Sequence, residues 1–172
     1  MMKINIAPLR KDLGRTQTFS FKTSAGQLGL DGQDDVWSGS ILVEGGVTNK
    51  GTIYEVNGII NATMSQNCSR CLEAMSITLA IPFAEEYREV DSVDFNESSE
   101  PEFNYFNSDE INITDLVREN ILLAEPLKPV CSENCRGLCP ECGANLNINT
   151  CGCNPCKTDP RLAVLEKLLS KD

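Results

Sequence analysis

A chain of 172 residues with 41% hydrophobic content is long enough to bury a core, and it is the size of one domain or of one domain plus a small module. Its formal net charge of −10 excludes binding to nucleic acid by overall basic charge, and the complete lack of histidine excludes any histidine-based catalytic triad. No stretch approaches the roughly 18 apolar residues of a membrane span, and no apolar run of signal-peptide length follows Met1-Met2-Lys3-Ile4-Asn5, so the expected location is the cytoplasm, where thiols stay reduced.

In chain order, the first two-thirds read as β structure. Ile4 and Ile6 suggest a short strand, and Phe19 and Phe21 alternate in a second. Residues 41–48 suggest a third, with a bulge expected at Gly45-Gly46. Asn49-Lys50-Gly51 is a turn signal. Tyr54, Val56, Ile60, Ala62 and Met64 then line one face at period two, and Met75, Ile77, Leu79, Ile81 and Phe83 do so again. Such alternation marks antiparallel strands with one face on a core.

Residues 91–110 are acidic and without a clean period, which predicts an exposed loop or excursion. A helix is expected from Asn112, with Asp115 three positions on as a short capping-box analogue, Leu116, Ile121, Leu122 and Leu123 as its apolar residues, and its end before Pro126. Residues 131–156 form a cysteine-rich module. Asp159-Pro160 is an N-cap and first-turn pair that starts a last helix, whose stripe of Leu162, Leu165, Leu168 and Leu169 is expected to pack on the body. The fold class is therefore α+β: an antiparallel β-rich body over 1–126 with a helix after its strands, then a zinc-knuckle tail and C-terminal helix over 127–172.

Nine cysteines carry the chemistry. Eight fall into close pairs: Cys68/Cys71, Cys131/Cys135, Cys139/Cys142 and Cys151/Cys153. Cys156 is left over, and an odd count fits poorly with a closed disulfide framework. In Cys139-Pro140-Glu141-Cys142-Gly143, two intervening residues let both sulfurs reach one ion at about 2.3 Å, and the glycine permits the positive φ of a tight turn. Cys151 and Cys153 can complete that site, with Cys156 able to replace Cys153. Cys68-Ser69-Arg70-Cys71 falls where two strands turn into each other, and with Cys131 and Cys135 it would make a second site. Alternatively, Cys131, Cys135, Cys139 and Cys142 could share one ion. The expected cofactor is structural Zn²⁺, one or two per chain, because a tetrathiolate sphere has no open position at which to activate water.

Two competing uses of the thiols are a redox dithiol and an iron–sulfur cluster. A thioredoxin-like C-x-x-C opens a helix in a βαβ unit, whereas Cys68/Cys71 lies between strands and Cys139/Cys142 in a Gly/Asn-rich loop. The spacings also do not match ferredoxin patterns. The sequence contains no Gly-rich phosphate loop and no Gly-x-Ser-x-Gly elbow.

Cys68-Ser69-Arg70-Cys71-Leu72, Pro129-Val130-Cys131, the run Cys135-Arg136-Gly137-Leu138-Cys139-Pro140-Glu141-Cys142-Gly143-Ala144-Asn145-Leu146-Asn147, Cys151-Gly152-Cys153 and Asp159-Pro160-Arg161-Leu162-Ala163-Val164-Leu165 together resemble the YceD family. The order of parts agrees, and Cys156 falls outside the family pattern. The resemblance implies a bacterial, non-enzymatic protein tied to accumulation of 23S ribosomal RNA or to large-subunit biogenesis. The implied partner is a ribosomal protein, the 23S RNA or both, with no membrane and no small-molecule substrate. Some relatives lack much of the tail cysteine set, so the metal itself need not perform the shared function. Charge fits a basic partner: from Glu85 to Glu110 ten acidic residues face Arg88 alone.

Overall fold

The computed structural model describes residues 1–30, 37–90 and 104–153. Contacts divide the chain into two units, one of Met1–Gln66 with Ser76–Leu127, the other of Asn67–Met75 with the chain from Lys128. No described helix is long and apolar enough to cross a membrane.

The first unit is built on a five-stranded sheet in the order β2 (Thr16–Thr23), β3 (Trp37–Asn49), β4 (Ile53–Asn67), β5 (Ala74–Glu89), β6 (Asn104–Phe106). The β2–β3 and β3–β4 pairings are antiparallel, and the short β6 runs parallel to the end of β5, with Tyr87 opposite Asn104. The body is thus mostly, but not wholly, antiparallel. A separate two-stranded pair joins β1 (Lys3–Asn5) to β7 (Glu110–Asn112). One helix, α1 (Thr114–Ala124), follows among the described residues.

Period-two burial explains the sheet. Tyr54, Val56, Ile60, Ala62 and Met64 on β4 are buried, as are Ile41, Val43 and Val47 on β3 and Ile81, Phe83 and Tyr87 on β5. Tyr54 meets Phe106 edge-on with ring centroids 5.5 Å apart. Gly45 and Gly58 are cross-strand partners. A Cβ on Gly58 would overlap the Glu44 carbonyl oxygen and lie 2.9 Å from the Phe83 ring, and one on Gly45 would overlap the Asn57 carbonyl oxygen and lie 2.8 Å from Phe19. Each glycine therefore makes room for a carbonyl of the neighbouring strand and for an aromatic ring laid over the ladder.

Among the described residues Asn49 is the buried polar one, and its side chain is satisfied at both ends: Nδ2 donates to the Leu9 carbonyl at 2.7 Å and Oδ1 accepts from the Gly51 amide at 2.7 Å. That second bond closes the expected turn, with Gly51 at φ +102°.

Three expectations need correction. The register break in β3 falls between Ser38 and Leu42, beside Gly39 at φ +78°, and not at Gly45-Gly46, which stay in regular register. Within the acidic stretch, 104–106 and 110–112 form strands, because Tyr105, Phe106 and Ile111 supply apolar side chains that the charges mask. The helix starts at Thr114, since Asn112 belongs to β7; its Oδ1 accepts from the Thr114 amide and hydroxyl. Val117 and Ile121 are the buried helix residues, while Leu122 and Leu123 are exposed. The helix stops at Glu125, whose extended backbone suits the residue before Pro126. The C-terminal helix expected from Asp159, and Cys156, lie outside the described residues.

Two candidate metal centres

Asn67 and Ala74 are the strand ends flanking the β4–β5 turn, and this turn opens the second unit. Cys68 accepts at its carbonyl from the Leu72 amide, and its own amide donates to the Glu73 carbonyl, both at 2.9 Å. Closing so tight a loop places Leu72 at φ +62°, a left-handed conformation that L-residues rarely adopt. Both sulfurs then face the segment that enters at Pro129, whose carbonyl accepts from the Ser69 amide at 2.8 Å.

The Sγ atoms of Cys68, Cys71, Cys131 and Cys135 all lie within 4.8 Å of one another. Cys68 and Cys135 are 3.9 Å apart, and Cys71 and Cys131 are 3.7 Å apart. A tetrahedron of sulfurs about 2.3 Å from a central ion has edges of about 3.8 Å, so the quartet has the dimensions of a tetrathiolate site. Cys68, Cys71 and Cys135 are buried, with Met75 and Val130 packed against them.

Arg70, between the first two cysteines, ties the segments together. Its Nη1 donates to the carbonyls of Glu133 and Cys135 at 3.0 and 3.1 Å, and its own carbonyl accepts from the Leu138 amide. Gly137, at φ +74°, comes so close to Arg70 that a Cβ would sit 3.0 Å from its carbonyl oxygen. Sequence reasoning had not given this arginine a role. Its only signal was a guanidinium held between two cysteines.

The second quartet, Cys139, Cys142, Cys151 and Cys153, also brings its four sulfurs within 4.8 Å. The Cys139 amide donates to the Ala144 carbonyl at 2.8 Å and the Gly143 amide donates to the Cys139 carbonyl at 2.9 Å, with Gly143 at φ +71° as the C-x-x-C-G pattern anticipates. Cys139 is buried and Cys151 half-buried, while Cys142 and Cys153 are exposed. Cys131 and Cys135 gather with Cys68 and Cys71, and Cys139 and Cys142 with Cys151 and Cys153.

Each site lowers some of its thiols and raises others. Backbone N–H groups of Cys71 and Cys131 bring the Cys68 thiol down to about 6, and those of Cys142 and Glu141 bring Cys139 down to about 7. The Asn147 amide, 3.3 Å from the Cys135 sulfur, lowers that thiol too. The neighbours are forced the other way: Cys135 pushes Cys131 up to about 12, and Cys142 does the same to Cys153. Four sulfurs this close can all ionise only around a cation. The two groups can therefore each hold a metal ion in a closed, all-sulfur sphere. Neither C-x-x-C pair begins a helix, the position that activates a redox dithiol.

Against this geometry, a family model described as "Large ribosomal RNA subunit accumulation protein YceD" matches residues 56–169. The chain belongs to the YceD family. The YceD match includes all eight paired cysteines. Among curated proteins, the chain is similar to the Arabidopsis thaliana chloroplastic "Large ribosomal RNA subunit accumulation protein YCED homolog 1", with 27% identity over 84% of this chain and 54% of that protein. An uncharacterized Mycobacterium tuberculosis protein is 28% identical over 68% of this chain and 56% of its own length. The uncharacterized protein YlbN of Bacillus subtilis is 30% identical over 77% of this chain and 76% of its own. The chain thus spans little more than half the length of the Arabidopsis and Mycobacterium relatives. No solved structure gives a significant match.

Proposed function

We propose that this YceD-family protein is a cytoplasmic, non-enzymatic factor that supports accumulation of the large-subunit (23S) ribosomal RNA by binding a ribosomal protein or the RNA during subunit assembly. The observation that carries the non-enzymatic half of this reading is the pair of all-cysteine quartets. With Zn²⁺ held by Cys68, Cys71, Cys131 and Cys135, and a second ion by Cys139, Cys142, Cys151 and Cys153, neither metal has a position open to substrate. The ions would stabilise the second unit, where structural zinc is worth on the order of 10 kcal/mol in small modules. The family description and the name of the Arabidopsis relative supply the ribosomal half.

Depletion of the protein in its own cells tests the proposal. The 23S to 16S RNA ratio should fall, and wild-type protein should restore it. An unchanged ratio, with large subunits sedimenting normally, overturns it. A thiol redox enzyme is separated by titration of native thiols: those bound to zinc react slowly until a chelator is added, whereas a redox dithiol reacts at once.

A further inference from the structure

The β2 edge of the five-stranded sheet is set by a bulge at its start. The amide of Gly14, a residue at φ +79°, donates to the Asn49 carbonyl at 2.7 Å, and the Asn49 amide donates to the Arg15 carbonyl at 3.1 Å. Arg15 therefore turns its carbonyl toward β3. Backbone groups alternate sides along a strand, so Gln17, Phe19, Phe21 and Thr23 face β3 as well. The amides and carbonyls of Thr16, Thr18, Ser20 and Lys22 point outward. The 2.8 Å contact between the Thr16 and Thr48 hydroxyls agrees, since pairs without mutual hydrogen bonds hold their side chains closer. Among the described residues no strand pairs with the outer side of β2.

Natural sheets blunt such edges with proline, internal bulges, inward-pointing charges or short strands. The opposite edge strand, β6, is three residues long. β2 uses none of these devices. It runs for eight residues in unbroken register with β3, contains no proline, and carries its one charge, Lys22, on the exposed face. Phe19 and Phe21 project together on the core side, with ring centroids 5.6 Å apart, and both are only half-buried at the rim of the core.

We propose that β2 pairs with β2 of a second copy of this chain, antiparallel about a two-fold axis through Ser20, so that two sheets join into one. The strand Thr-Gln-Thr-Phe-Ser-Phe-Lys-Thr is self-complementary in that register. The outward-facing Thr18, Ser20 and Lys22 meet Lys22, Ser20 and Thr18 of the second copy and exchange about six backbone hydrogen bonds. Phe19 falls opposite Phe21 of the second copy, and Phe21 opposite its Phe19, in the closer kind of pair. Two aromatic cross-strand pairs thus cover the rim of both cores. The two Lys22 residues stand four positions apart along the ladder, ~14 Å, which exceeds the screening length at physiological salt. A strand of an unrelated protein could also hydrogen-bond there, but the match of ring to ring and of Lys22 to Thr18 is a property of this strand with itself, as an isologous interface requires.

The pairing does not depend on what the protein does for ribosomal RNA. The test uses the full zinc-loaded chain, with sedimentation over a range of concentrations and amide-resolved hydrogen exchange. Amides of Gln17, Phe19, Phe21 and Thr23 donate to β3 and should be protected at every concentration. Those of Thr18, Ser20 and Lys22 should exchange freely in dilute protein and become protected as dimer forms. Thr18→Lys sets like charges opposite each other twice per dimer and should weaken association about five-fold, whereas Thr18→Glu faces Lys22 twice and should tighten it about five-fold. Net charge alone predicts the reverse order, because the chain already carries −10. Ser20→Pro removes only an outward donor, so it should abolish the dimer and leave the slow amides of Val56 and Ile60 in place. A chain that stays monomeric to ~1 mM overturns the proposal. So do edge amides already protected in dilute monomer, concentration-dependent protection at another surface, or Thr18 variants that leave association unchanged or move it in the reverse order. Edge protection that appears only when a ribosomal protein or RNA is added assigns the strand to that partner and overturns it as well.

Discussion

Arg70 was visible in the sequence only as the residue between two cysteines, and its task became clear only when its two carbonyl acceptors, 63 and 65 positions away, were brought to it. Such a residue would act on an ion held by the quartet through the backbone that carries Cys135. Outer-shell partners of this kind are typically worth about 10–100-fold in metal affinity. Arg70→Ala is therefore expected to weaken metal retention at Cys68, Cys71, Cys131 and Cys135 by that order. Chelator competition should show one weakened ion and one unchanged ion per chain. Tyr87 carries a second expectation at this scale. Its phenol is raised from 10.0 to about 12, so between these values the unfolded chain has lost a proton that the folded chain still holds. Stability from this group is intact below pH ~10 and declines as pH rises toward ~12, by on the order of 2 kcal/mol. Comparing urea unfolding of wild type and Tyr87→Phe at pH 8 and pH 11 should show a smaller loss in the variant.

Among elements, strands β4 and β5 were legible because their apolar residues alternate, from Tyr54 to Met64 with a break only at Gly58 and from Met75 to Phe83 without one. The start of β3 was not legible: Ser38, Gly39 and Ser40 offer no alternation, and the irregular register there hides the period. β6 and β7 were lost because the surrounding acidic residues mask the apolar Tyr105, Phe106 and Ile111, and Val117 was overlooked because Leu122 and Leu123, larger and more apolar, drew the helix face away from its true side. Gly45 and Gly46 of β3 were read as a bulge, whereas Gly45, with Gly58 of β4 opposite it, allows rings to cover a regular ladder. Gly58→Ala should therefore cost about 1–3 kcal/mol, the range for overpacking. Gly46→Ala, where an added Cβ meets the Thr16 methyl at 3.1 Å, should cost less. Denaturant unfolding of the two variants side by side checks the order.

For the whole molecule, cysteine spacing picked out the eight candidate ligands but left open which pairs come together. Four pairs allow several quartets, and only three-dimensional proximity joins Cys68/Cys71 to Cys131/Cys135. Purified protein should contain two zinc ions per chain by elemental analysis. A strong chelator should remove amide-exchange protection from 67–75 and 128–153, because those residues have few apolar contacts apart from Met75 and Val130 against the first quartet. The sheet, with its own apolar core, should keep its slow amides.

The 60-residue separation of Cys71 from Cys131 also has a consequence during synthesis. At ~5–20 residues per second, the early thiols wait on the order of 3–12 seconds before their mates are even polymerised. Throughout that interval the newborn chain carries a half-built clasp, open to stray oxidants and to the wrong ion.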